Sequence, residues 1–164
     1  MQFSKPVSAQ AEDTTLQFVI FQAGVQSFAV EINRVKEILR YRKVTPLPRT
    51  PAFIEGVIDL RGALIPVLDL RKRFEVTAPV YDQQTRIIVI RYKKKKIGLV
   101  VDAVHRVLPI PLRDIKAPPS IARAHGSEYM LAVAKHGDDL YIVLDLDRIL
   151  SSAERMTLEK VKLA

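Results

Sequence analysis

The sequence predicts an all-β protein made of two small barrels packed side by side. Apolar runs of strand length recur along the chain between Gly and Pro turn signals, and one stretch, from Ser151 on, reads as a good helix. The same plan is also written twice. At a shift of 69 residues, Phe18, Ile20, Phe28, Val30, Ile32, Val35 and Ile38 fall on Ile87, Val89, Ile97, Leu99, Val101, Val104 and Val107. At a shift of 76, Phe53, Val57, Leu64, Val67, Leu68, Asp69 and Leu70 fall on Tyr129, Val133, Leu140, Val143, Leu144, Asp145 and Leu146. The extra seven residues fall in a proline-rich connector, where insertion costs little. Repeat units over 16–76 and 85–150 follow, inside one domain over 15–152, with a tail at 1–14 and a C-terminal helix or tail at 153–164. Two such units would each leave apolar surface to bury against the other, with a groove at the seam. The repeat does not say which strand closes which barrel, and end strands could be exchanged.

In chain order, LQFVIF and FAVEI flank a short polar segment holding Gly24, a hairpin signal. Asn33 to Leu39 fits either a helical turn or a strand. Pro46, Pro48 and Pro51 mark an extended connector. The block from Phe53 to Phe74 then holds two apolar runs joined by the turn-prone pair Arg61-Gly62. Gly56 and Gly62 sit where a positive φ or a close backbone approach is expected. Pro66 has no amide donor, which predicts an edge strand or a bulge.

RIIVI and IGLVV flank RYKKKK, and Lys93 to Lys96 align with the first hairpin tip at Gly24 to Ser27. These lysines read as a solvated turn that discourages edge pairing or as a contact for something anionic. Pro109, Pro111, Pro118 and Pro119 predict a second connector, leading to the strands between Tyr129 and Leu150. Ser151 with Glu154 three residues on is a capping-box pattern for the closing helix.

The chain has 164 residues, 48% hydrophobic and 27% charged, which is a globular balance with room for a core. It has no Cys, which excludes disulfides and thiolate sites. The N-terminus lacks the apolar core of a signal peptide, and no run is long enough to span a bilayer, so a soluble, cytoplasmic protein is expected. A net charge of +8 suits nucleic acid, an anionic membrane surface or an acidic protein partner, or is simply a solvated basic surface.

Reaction chemistry is not legible. His105, His125 and His136 are scattered, and Asp138, Asp139, Asp145 and Asp147 match no calcium loop. Asp69 and Asp145, related by the repeat, are expected to cap the exits of their strands. There is no nucleophile elbow, phosphate loop or dinucleotide fingerprint, and no catalytic residue, metal or cofactor is expected.

FAVEINRVKEI, GVIDLRGALIPVLDLRKRF, IGLVVDAV, KAPPS and YMLAVAKHGDDLYIVLDLDRIL, in that order, resemble the CheW family from Leu16 to Ser152. The resemblance implies two five-stranded SH3-like β-barrels side by side and an adaptor without enzymatic activity. Its partners would be the regulatory domain of a CheA-type histidine kinase and the cytoplasmic tip of a methyl-accepting chemoreceptor, the adaptor being cytoplasmic and recruited to membrane-associated receptor arrays without inserting in the membrane. By position, Arg61 is the arginine of the family turn associated with receptor binding, and Val35 and Glu37 lie in a segment associated with the same groove. Gly56, Val57, Ile58, Asp59 and Leu60 would line or shape it. The residues themselves allow Arg61 to fork onto a partner carboxylate, or merely to pair with Asp59 and stiffen the turn. Val35 could equally be buried in its own barrel. Departures from the family pattern are Asp59 for the usual Asn, Ala132 where Gly is common, and the basic charge.

The implied function is a receptor–kinase coupling scaffold of a bacterial chemosensory array, or the equivalent adaptor of a pilus-motility or other chemosensory pathway. The alternative from another class, a basic β-barrel that binds nucleic acid, is disfavoured by an aromatic content of 7% placed mostly on core-facing strand positions.

Overall fold

The structure, a computed structural model, describes residues 14–120 and 129–149. The expected helix beyond Ser151 lies outside them. Strands β1 (Thr15–Ala23), β2 (Gln26–Glu31) and β3 (Val35–Arg40) are followed by β4 (Ile54–Leu60), β5 (Ala63–Asp69) and a single helical turn, α1 (Leu70–Arg73). Then come β6 (Arg86–Tyr92), β7 (Lys95–Val101), β8 (Ala103–Pro111), β9 (Ile115–Lys116), β10 (Met130–His136) and β11 (Asp139–Leu144). Both readings of Asn33–Leu39 are realised, since a 3-10 turn over Ile32–Arg34 runs straight into β3.

One sheet has six strands in the order β8-β1-β2-β11-β10-β9, the other five in the order β3-β6-β7-β5-β4. In repeat terms the orders coincide. The hairpin β1–β2 stands between β8 and β11 as the hairpin β6–β7 stands between β3 and β5. Each sheet thus takes one hairpin from one half of the chain, joined by four strands of the other half in the six-stranded sheet and three in the five-stranded one. The parallel pairs correspond as well: Val143 lies beside Ala29 and Val67 beside Gly98.

Three apolar clusters follow from strand alternation. One face of the six-stranded sheet buries Phe18, Ile20, Ile110, Ala134 and Val143, and the matching face of the five-stranded sheet buries Ile58, Ile65, Val67, Ile87 and Val89. The opposite faces meet in a central cluster where Phe21, Phe28 and Val30 pack with Leu68, Ile88, Ile90 and Leu99. The expectation of closed barrels is corrected: among the described residues no ladder joins β3 to β4, or β8 to β9. The side-by-side units are therefore two open sheets, each with its own core.

Two proline expectations also change. β5 is an interior strand, between β7 and β4, but only Val67, Leu68 and Asp69 pair with β7. Pro66 sits just before that ladder begins, so its missing N–H breaks no bond, and the bulge lies in the partner strand β4, between Ile54 and Gly56 and opposite Val67 and Leu68. Pro109 and Pro111 belong to β8 rather than to a connector. β8 is an outermost strand bonded only to β1, so prolines are tolerated on its open side.

The Asp caps are in place. The Asp69 carboxylate accepts the Arg71 N–H at 2.9 Å, and that of Asp145 accepts the Asp147 N–H at 3.1 Å. At the first exit much more is built on the cap. The Arg71 side chain is fully buried and donates to Asp69 at 2.9 and 3.0 Å, to Asp102 at 2.9 Å and to the Val80 carbonyl. Asp102 in turn accepts the Gly24 N–H at 2.6 Å, and the Tyr81 hydroxyl donates to Asp69 at 2.8 Å. Burial works against the Arg71 charge, but hydrogen bonds to Asp69 and Asp102 outweigh it and hold the guanidinium protonated above its usual range. This knot ties the β1–β2 tip, the end of β7, α1 and the segment after it into one unit.

Candidate functional site

Arg61 and Gly62 form the two-residue turn between β4 and β5 at φ 53° and 89°. Both values are left-handed, a backbone that turns tightly with the sheet twist, is free to glycine and is tolerated by few side chains besides Asn and Asp. Asp59 steadies the turn by accepting the Gly62 N–H at 2.8 Å, and its own carbonyl accepts from Arg42 at 2.8 Å. The Asp59 carboxylate thus serves the turn backbone, and the Arg61–Asp59 ion pair is not the one formed.

Arg61 instead reaches β3. Its guanidinium forks onto both oxygens of Glu37, with the Nη1–Oε1 bond at 3.1 Å. The arginine side chain is 68% exposed and the glutamate 29%, so the pair lies at the surface with one partner open to solvent. The hydrogen bond from Arg61, followed by the charges of Arg61, Lys96 and Arg42, holds the Glu37 carboxyl below the usual carboxylate range.

The other expected residues take distinct places. Gly56 sits at the β4 bulge with φ 142°, and a Cβ there would lie 1.9 Å from the Thr45 carbonyl oxygen. Ile58 and Leu60 point into the core of the five-stranded sheet and shape the surface only from beneath. Val57 is half-buried and Asp59 exposed on the other face of β4. Val35 is half-buried and packs on the central cluster, because a bulge between Val35 and Glu37 turns the two side chains to opposite faces. The structure thus brings Arg61, Glu37 and Asp59 together at one rim and separates Val35, Ile58 and Leu60 from them.

A recess of about 350 Å³ lies elsewhere, lined by Phe28, Phe74, Tyr129, Met130 and Ile142. Arg73 stands at its edge over the rings of Phe53 and Tyr129, which the repeat makes equivalent, and donates to the Ile149 carbonyl at 2.8 Å. None of the expected site residues lines it. Leu64 and Leu140, also equivalent, are exposed on the outer faces of their hairpins. Lys96 belongs to the lysine run that the sequence leaves open as a contact for something anionic, whereas Arg42 and Arg91 read as ordinary surface; the fold is what brings Lys96 and Arg42 near Glu37.

Among the described residues no helix is long and apolar enough to cross a membrane, and no group of three or more His, Cys, Asp or Glu side chains could hold a metal.

Comparison with known proteins covers most of the chain. A family model described as CheW-like domain matches residues 17–154. Chemotaxis protein CheW of Klebsiella aerogenes is 35% identical over 156 residues, 94% of each chain. Protein FrzA of Myxococcus xanthus is 32% identical over 153 residues, 92% of this chain and 94% of that one. The crystal structure of scaffolding protein TtCheW from Thermoanaerobacter tengcongensis superposes with a TM-score of 0.79 at 33% identity, covering 86% of this chain and 96% of that one. With a family model matched over residues 17–154 and relatives matched along nearly their whole length, the chain belongs to the CheW-like domain family.

Proposed function

We propose that the protein is a non-enzymatic adaptor that holds a chemoreceptor's cytoplasmic tip and the regulatory domain of a CheA-type histidine kinase together in a chemosensory array. The observation that carries this reading is Arg61, a long cationic side chain kept at a left-handed turn position and presented to solvent. Residues held in sparsely populated backbone regions cluster at binding and switch sites, and among the described residues held so Arg61 alone forks onto a carboxylate at the rim. A guanidinium already shaped around one carboxylate suits the side chains and helix ends of a receptor hairpin. Leu64 and Leu140 offer exposed apolar surface, one on each sheet, for the kinase domain. The adaptor works by binding two partners at once, so that the state of one biases the other. It is recruited from the cytoplasm to the array by these contacts.

The test is binding of a receptor-tip fragment and of the kinase regulatory domain to Arg61→Ala. The variant is expected to lose about tenfold or more in affinity for the tip, as a central anchor does, while the kinase domain still binds. Unchanged tip affinity in the folded variant would overturn the assignment. The similarity to Protein FrzA, which does not carry the chemotaxis name, supports a second reading in which the same coupling serves another chemosensory pathway. Swapping the protein for the resident adaptor in flagellar and non-flagellar assays separates the two.

A further inference from the structure

We infer that the rim around Glu37 is a cationic mouth that takes an acidic segment of a protein partner, with Arg91 and Lys96 as its contacts beside Arg61. The inference rests on the reading of Arg61 as a partner-facing residue and adds the chemistry of that partner. Strand register supplies the geometry. Glu37 on β3 pairs with Val89 on β6, and Val89 pairs with Gly98 on β7. Two residues further along the same face, Arg91 pairs with Lys96. Side chains two apart on a strand share a face, and diagonal neighbours are within reach of long side chains. Arg91 and Lys96 therefore stand on the same side of the sheet as Glu37, at its exposed end.

The charge count at this rim is uneven. Arg61, Lys96 and Arg42 all act on the Glu37 carboxylate, Arg91 stands beside Lys96, and the nearby carboxylates are already engaged, Glu37 by Arg61 and Asp59 by the Gly62 N–H. Among the described residues no carboxylate lies within ion-pair distance of Arg91 or Lys96, whereas Arg34 close by is held by Asp147 at 3.4 Å. Lys93, Lys94 and Lys95 extend the positive field at the β6–β7 tip. Such a field speeds the approach of an anionic partner and rejects basic ones.

Carboxylates fit this mouth better than the other polyanions. The fork on Glu37 already has the geometry that an incoming Asp or Glu side chain would need. Single-stranded nucleic acid needs open rings to stack on, and Tyr92, the aromatic of this tip, is 6% exposed with Lys93 over its ring. A membrane-inserting tip needs an apolar side chain, and the β6–β7 turn is Lys93-Lys94.

The test uses the whole chain and two short helical peptides, a Glu-Ala repeat and its Gln-Ala counterpart, beside the receptor-tip fragment. The protein is expected to bind the Glu peptide and not the Gln peptide, with affinity falling roughly tenfold between about 0.05 and about 0.3 M salt. The double variant Arg91→Gln/Lys96→Gln, altered only at exposed positions, is expected to bind it roughly tenfold more weakly with a flatter salt dependence, and to associate more slowly with the receptor tip. Equal binding of both peptides, an unchanged salt slope in the double variant, or tighter binding to phosphatidylserine vesicles or a single-stranded oligonucleotide than to the Glu peptide would each overturn the inference. If the Glu peptide binds through Arg91 and Lys96 while the receptor tip does not bind at all, the mouth stands and the receptor assignment falls.

Discussion

The hairpins β4–β5 and β10–β11 are the same element built twice, and they differ at three positions that matter. Gly56 in the first bulge stands opposite Ala132 in the second, Arg61 in the first turn opposite Gly137 in the second, and Arg71 beyond the first exit opposite Asp147 beyond the second. Gly56 has φ 142° and no room for a Cβ, whereas Ala132 carries one in a bulge with ordinary backbone. Gly137 adopts φ 62° at no cost, whereas Arg61 holds φ 53° with a side chain. One copy is thus left relaxed, and the other carries strain, a buried ion cluster and an exposed guanidinium. Duplication relieved one hairpin of specialised work and concentrated it in its twin.

The bulges offer the largest test of this contrast. Gly56→Ala is expected to destabilise by more than about 3 kcal/mol, since both φ and the Thr45 carbonyl oppose it. Ala132→Gly at the equivalent place is expected to cost only about 1 kcal/mol, through backbone entropy. Thermal melts of the two variants check the asymmetry, and similar losses would abolish it.

The exits come next. Arg71→Met strands Asp69 and Asp102 without their cation and is expected to cost about 3 kcal/mol. Asp147→Asn, on a side chain 67% exposed, is expected to stay within about 0.5 kcal/mol in a denaturant titration.

A smaller effect appears at high pH. Burial, and then the hydrogen bond to Asp69, pushes the Tyr81 hydroxyl above the ordinary tyrosine range; burial does the same to Tyr41. The folded protein therefore keeps protons that the unfolded chain releases above about pH 10. Stability from this source is whole below that pH and is lost as pH rises beyond it. Denaturation midpoints measured across that range are expected to fall, and to fall less steeply in Tyr81→Phe.

The turns give the smallest change in stability. Arg61→Asn and Gly137→Asn are both expected to melt within about 2 °C of the parent, because asparagine tolerates the left-handed region. Only the first should weaken receptor-tip binding. Loss of tip binding in both would move the contact away from Arg61.

Much of this was open to reading in the residues. The repeat showed in strand alternation, the turn in Arg61-Gly62 and the caps in Asp69 and Asp145, because each is a local pattern with a local cause. The exchange of hairpins between sheets was not readable, since alternation fixes which face a residue takes and says nothing about which strand lies alongside. Pro109 and Pro111 looked like connector residues until β8 proved to be outermost. Arg71 is hidden in the run Leu70-Arg71-Lys72-Arg73, where nothing local separates the fully buried cation from half-buried Lys72 and Arg73; its partners Val80 and Asp102 are supplied by chain further along. Of the rim, the turn at Arg61-Gly62 is legible in the residues and Glu37 enters by the family resemblance, whereas the placing of Arg91 and Lys96 on the same face as Glu37 depends on the register of three strands.

The trade of hairpins has a consequence for how the molecule is held together. Since each sheet needs strands from both halves, a cut in the link between Phe74 and Arg86 would leave two fragments, neither able to complete a sheet alone. Two copies of a single repeat trading hairpins in this manner would raise the same pair of sheets about a twofold axis. That link therefore acts as a tether, making the meeting of the halves independent of concentration.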